Sequence, residues 1–134
     1  MTDDDLPTPE EILTMHEKIK DEQGLKYEGI MKPALKSKLR RDALNPAAEY
    51  SDPYHRAAAL LFGIESVHIF EDANKRTAWA TTRAYLRRAG IEPDLPQDDE
   101  TIERIVRRAG KFDADELAEW FETGEIDETK LPDH

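Results

Sequence analysis

Nine consecutive residues of this 134-residue chain, His68-Ile69-Phe70-Glu71-Asp72-Ala73-Asn74-Lys75-Arg76, bring ionisable side chains between two of its most apolar stretches. His68 is the one side chain there that exchanges a proton near neutral pH, so it can serve as general base toward a hydroxyl. Asp72 offers a hard carboxylate oxygen of the kind Mg²⁺ takes alongside a phosphate. Asn74, Lys75 and Arg76 stand at an expected helix start, where unpaired backbone N–H groups and the positive end of the helix dipole favour an anion. Each residue also has an ordinary structural reading. His68 can be a C-cap or a satisfied core residue, Asp72 an N-cap, and Lys75 and Arg76 solvated helix charges. Their joint spacing favours base, metal ligand and phosphate cradle, with Phe70 turned the other way as an anchor.

The flanking elements must hold this segment. Thr8-Pro9-Glu10-Glu11 reads as N-cap, N1 and N3 of a first helix, with Ile12, Met15, His16 and Ile19 at helical spacing and a stop expected at Gly24. Leu25 to Lys32 is the only stretch that could pair as a short strand, and is read as a β-like flap. Pro33 can open a second helix through Leu35, Leu39 and Leu44, ending near Asn45-Pro46. Asp52-Pro53 starts a third, whose wide apolar run (Ala57, Ala58, Leu60, Leu61, Ile64, Val67) predicts a central, mostly buried helix. After a break at 68–73, a fourth runs from Asn74 to Ala89, with Ala78, Thr82, Tyr85 and Leu86 inward and Gly90 as its cap. Two more follow, about Asp99 to Ala109 and Asp113 to Glu122. In the last, Asp113 and Glu116 are placed to cap, and Leu117, Trp120 and Phe121 face inward. The expected fold is all-α, a compact bundle of about six helices in a single domain over 1–134, with its core at about 8–124 and frayed termini.

Composition bounds the function. There are 30 acidic against 19 basic residues, and the net charge of −11 argues against bulk nucleic acid as a partner. Arg40-Arg41, Arg87-Arg88 and Arg107-Arg108 are spread over three helices among acids, and read as salt-bridging faces. The absence of cysteine excludes disulfides, thiolate metal sites and cysteine nucleophiles, and fits a reducing cytoplasm. No run approaches the roughly 20 apolar residues of a membrane span, and Thr2-Asp3-Asp4-Asp5 is the wrong charge for a signal peptide, so a cytoplasmic protein without membrane contact is expected. The acidic excess also suits a salt-rich cytoplasm such as a halophile's.

The segment 68–76 resembles the Fic/Doc signature, a histidine, then phenylalanine two residues on, then Ala or Gly, Asn, Gly or Lys, and Arg. It is most similar to the Doc, or death-on-curing, branch. Pro9 to His16 resembles that branch's first helix, and Asn74 to Ala78 with Ala84 to Gly90 its central helix, so the likeness spans about residues 8–124. The resemblance implies His68 as the base that deprotonates a target hydroxyl, Asp72 as the Mg²⁺ ligand, and Asn74 and Arg76 as holders of nucleotide phosphates. Members that transfer AMP have Gly where this chain has Lys75, and a second Arg where it has Trp79. A lysine fills space that an α-phosphate would enter, and losing the arginine removes a bidentate clamp.

Doc-type members share the lysine, which implies a toxin that phosphorylates a threonine or serine of a translation elongation factor from ATP and is restrained by an antitoxin. AMP transfer and a non-catalytic binding module are the alternatives. The flap residues Tyr27, Gly29, Ile30, Met31 and Lys32 correspond to the family's target-binding strand, which often reads Gly-Ile-Arg-Asp, so the charge there is reversed. The inhibitory run of many relatives, Ser or Thr followed four residues on by Glu and then Gly or Asn, does not occur here. Trp79, Trp120 and Phe121 sit at core spacing and read as packing residues.

Overall fold

The computed structural model describes residues 6–22, 34–67 and 74–131. Helix α1 (Pro9–Glu22) starts as its sequence dictates. Thr8 Oγ1 accepts from the Glu11 N–H at 3.1 Å while the Glu11 carboxylate accepts from the Thr8 N–H at 2.9 Å, which satisfies two otherwise orphaned donors. Its buried face carries Ile12, Leu13, His16 and Ile19.

The second helix does not end at Asn45-Pro46. It runs as α2 (Ala34–Leu39), a π-helical turn (Arg40–Leu44) and α3 (Asn45–Ala48) without a break. In a regular α-helix Pro46 would press its ring against the Asp42 carbonyl and could donate no bond to it. Widening by one residue, with the Asn45 N–H donating to Arg40 O, passes the proline without ending the helix.

Helix α4 (Pro53–Val67) is the centre of the bundle, as its apolar breadth predicts. Ala57, Ala58, Leu60, Leu61 and Ile64 are completely buried. α5 (Asn74–Arg88), α7 (Ala114–Thr123), α3 and the π turn all pack on it. The approach to the π turn is close. A β-carbon at Gly63 would stand 2.3 Å from Asp42 O and 2.6 Å from Ala43 Cα, so only glycine fits.

The N-terminus of α4 is tied to that of α7 by His55. Its Nδ1 lies 2.7 Å from Asp52 and its Nε2 2.8 Å from Asp115, and its ring stacks on Tyr50. Burial alone would lower the imidazole pKa, but the hydrogen bonds and charges of Asp115 and Asp52 outweigh it and hold the pKa above the usual histidine value.

α5 ends at Gly90, in the left-handed region at φ 83°. There the Ile91 N–H donates to Leu86 O at 2.8 Å and the Gly90 N–H to Arg87 O at 3.0 Å, the paired bonds of a Schellman cap. α6 (Asp99–Arg107) is capped by Asp98, and a 3₁₀ turn, Ala109–Lys111, replaces its expected last residues. α7 carries the expected Asp113–Glu116 capping box. The tail is held as far as Leu131, which is buried, with Lys130 Nζ 2.6 Å from Glu116. With α2, the π turn and α3 as one unit, the described residues form six helices and no strand, the expected all-α class. The flap at 25–32 lies outside them.

Two outcomes follow. Gly63→Ala forces α4 off the π turn and destabilises the protein by about 1–3 kcal/mol in a denaturant titration. The His55 clamp has a raised folded pKa, so its contribution is complete below the usual histidine pKa and is lost as pH rises through the folded value. The difference in Tm between wild type and His55→Gln is therefore largest near pH 6 and shrinks on going to pH 9.

Candidate functional site

The segment expected to carry the chemistry connects the two most extensively packed helices, α4 and α5. α4 ends at Val67, immediately before His68, and α5 begins at Asn74, two residues after Asp72. Chain connectivity thus confines His68 and Asp72 to a six-residue link, 68–73. Those two residues and the target-flap residues Tyr27, Gly29, Ile30, Met31 and Lys32 lie outside the described residues, so the structure gives no distances among them. It does describe the turn expected to hold phosphate.

Asn74 opens α5, followed by Lys75, half-buried, and Arg76, exposed. Thr77 and Ala78, the next two residues, are fully buried and seat this end of the helix in the core. The charges of the turn are opposite to those at the starts of α1, α6 and α7. The first turns of α1, α6 and α7 carry Glu10 and Glu11, Asp99 and Glu100, and Asp115 and Glu116, as the positive end of a helix dipole favours. The first turn of α5 has no acid and two cations. Like charge at that end costs about 0.3–1 kcal/mol per residue at an exposed position. An anion bound at the turn by its backbone N–H groups, Lys75 and Arg76 would offset that cost.

The residue types also suit a metal–phosphate pair. Mg²⁺ is usually held by one or two carboxylates and the phosphates of a substrate, so a single carboxylate such as Asp72, two residues before α5 in sequence, would fit that pattern. Among the described residues no group of three or more His, Cys, Asp or Glu is placed to hold a metal ion.

One turn beyond Arg76, Trp79 packs inward as expected. Its ring lies 5.6 Å from Trp120 and 6.1 Å from Phe121, both interplanar angles being 19°. The paired arginines also behave as the composition suggested. Arg41 meets Asp42, Arg87 meets Glu92, Arg88 meets Glu11 and Arg107 meets Glu103. What sequence reading missed is structural. The His55 clamp joins residues 60 apart, and Gly63 shows no local sign of the backbone it touches.

A groove of about 330 Å³ between α1 and α5, lined by Met15, Thr81, Ala84 and Tyr85 among others, belongs to the other end of α5. At about 1.5 Å per residue, its α5 residues begin some 8 Å along the axis from Arg76. It is separate from the cationic first turn of α5.

A family model described as Fic/DOC family matches residues 6–86, more than half of the chain, from two residues ahead of the α1 cap almost to the end of α5. No curated protein matches the chain. No helix among the described residues is long and apolar enough to cross a membrane.

If the first turn of α5 is built for an anion rather than for stability, substitution separates the two. Arg76→Gln leaves the ligand-free protein within about 1 kcal/mol of wild type. The same change lowers nucleotide affinity at least tenfold, the loss of a charge-assisted hydrogen bond of about 1.5–3 kcal/mol. Thermal melts with and without MgATP measure both effects.

Proposed function

Because the chain belongs to the Fic/DOC family, whose members are typically transferases acting on proteins, we propose that it is a Doc-like toxin that transfers the γ-phosphoryl group of ATP to a threonine or serine hydroxyl of a translation elongation factor, inhibiting protein synthesis. The observation that supports phosphate chemistry is the cationic first turn of α5, which carries Lys75 and Arg76 and no acid, whereas the first turns of α1, α6 and α7 are acidic. In this reading His68 takes the proton of the target hydroxyl as its oxygen attacks the γ-phosphorus. The bond to the bridging oxygen breaks, and ADP leaves. Asn74, Lys75, Arg76 and the N–H groups of the turn hold the phosphate oxygens where charge accumulates. Asp72 would hold Mg²⁺, which supplies charge neutralisation on the phosphates when bound.

The choice of γ-phosphoryl transfer over AMP transfer rests on two positions. Lys75 occupies the place of the glycine in AMP-transferring members, and Trp79, in the place of their second arginine, is engaged by α7. The flap at 27–32 is the proposed contact with the protein target. Restraint is assigned to a separate antitoxin protein, since the inhibitory run of other members does not occur in the sequence. A salt-rich cytoplasm is the proposed setting for the acidic excess.

Incubation with ATP labelled at the γ-phosphate and an elongation factor tests the assignment. Label reaches the factor with wild type and not with His68→Ala. Label delivered only from α-labelled ATP establishes AMP transfer instead, and growth arrest that survives both Asp72→Ala and Arg76→Ala establishes a binding module.

A further inference from the structure

The transfer reading requires the first turn of α5 to keep one orientation while nucleotide binds. α5 and α7 both pack on α4 but hardly approach each other backbone to backbone. Aromatic side chains bridge them. Trp79 stacks on Trp120 and Phe121, those two rings are themselves 5.2 Å apart, and the Arg83 guanidinium lies 5.8 Å from the Trp79 ring centre.

This stack has a fixed base. Trp120 is fully buried, and its Nε1–H donates to Gln97 Oε1 at 3.0 Å. The other end of the same amide is held in turn, Gln97 Nε2 donating to Gly124 O at 2.9 Å just beyond α7. A planar ring laid on a ring held in this way resists rotation of the helix that carries it. Trp79 is three residues from Arg76, so within one hydrogen-bonded turn such a rotation passes to the phosphate-binding end almost undamped. The lever is large. Turning α5 by about 20° moves a group about 6 Å from its axis by about 2 Å, and a misplacement of about 1 Å can cost a factor of about 100 in rate.

We propose that Trp79 is a positioning residue: through its stack on Trp120 it fixes the rotation of α5 about its own axis, and so the direction in which the turn from Asn74 to Arg76 meets the nucleotide. The proposal rests on the transfer reading, which supplies the nucleotide. It also makes α7, which lies beyond the matched residues 6–86, a working part of the site.

The test is MgATP affinity by calorimetry, at a temperature where circular dichroism shows each variant folded. Trp79→Leu binds at least tenfold more weakly than wild type, and Trp79→Phe, which keeps a ring in the stack, stays within about threefold. Trp120→Phe, on α7 and without the Gln97 anchor, weakens binding two- to threefold. Combined with Trp79→Leu it adds less than its own effect, as expected for residues acting through one contact. Leu39→Ala, a buried change on α2, lowers Tm but leaves affinity unchanged.

Wild-type affinity in folded Trp79→Leu overturns the proposal, and so does an equal loss in Leu39→Ala. If Trp79→Leu does not fold, Trp120→Phe decides, and unchanged affinity there overturns the proposal. A wild type that binds no MgATP overturns the transfer reading instead. The amide resonances of Lys75 and Arg76 then judge the stack: a shift in Trp120→Phe supports it, and unchanged resonances overturn it.

Discussion

α4 is apolar around most of its circumference, and such a helix is stable only when several neighbours cover it at once. The rest of the described structure meets that demand. The π turn and α3 press on one side, closely enough that position 63 must be glycine, while α5 and α7 cover the others. His55 pins the start of α4 to the start of α7, so the helix is located at its end as well as along its sides. The arrangement matters for chemistry because the link 68–73 leaves from the end of α4 and enters the start of α5. The separation and direction of its two ends are consequences of core packing.

What could be read from the sequence is what local chemistry decides. The capping boxes at Thr8–Glu11 and Asp113–Glu116 involve residues three apart, and both form. The breadth of the apolar run from Ala57 to Ile64 requires burial on most sides, and Ala57, Ala58, Leu60, Leu61 and Ile64 are completely buried while Phe62 stays exposed. Reading fails where the deciding partner is distant. Asn45-Pro46 carries the usual mark of a helix end, yet the helix widens into a π turn and continues, because its far side is packed on α4. Gly63 looks like a weak point in a helix until the Asp42 carbonyl is placed against it. At the candidate site the cationic start of α5 was legible because charge at a helix start is a local property. His68 and Asp72 are assigned from the motif and its family alone.

The charge of the chain takes on a more definite form. Residues 87–134 hold 15 of the 30 acids and only 7 of the 19 bases, so the portion matched to the family is close to balance. Several of the acids beyond it have local work. Asp98 and Asp113 cap helices, Asp115 clamps His55, and Glu116 both completes a capping box and holds Lys130. The surplus is therefore concentrated on the part of the chain that buttresses the site, and the cationic turn of α5 lies outside it.

The aromatic stack between α5 and α7 has a spectroscopic consequence. The chain has two tryptophans, Trp79 and Trp120, and both are in it, 5.6 Å apart and nearly parallel. Light absorbed at the red edge of the indole band is therefore absorbed at one interface. The protein's intrinsic emission, and any coupling between the two indole transitions, reports on that interface alone, giving the movement of α5 against α7 an optical signal that needs no added label.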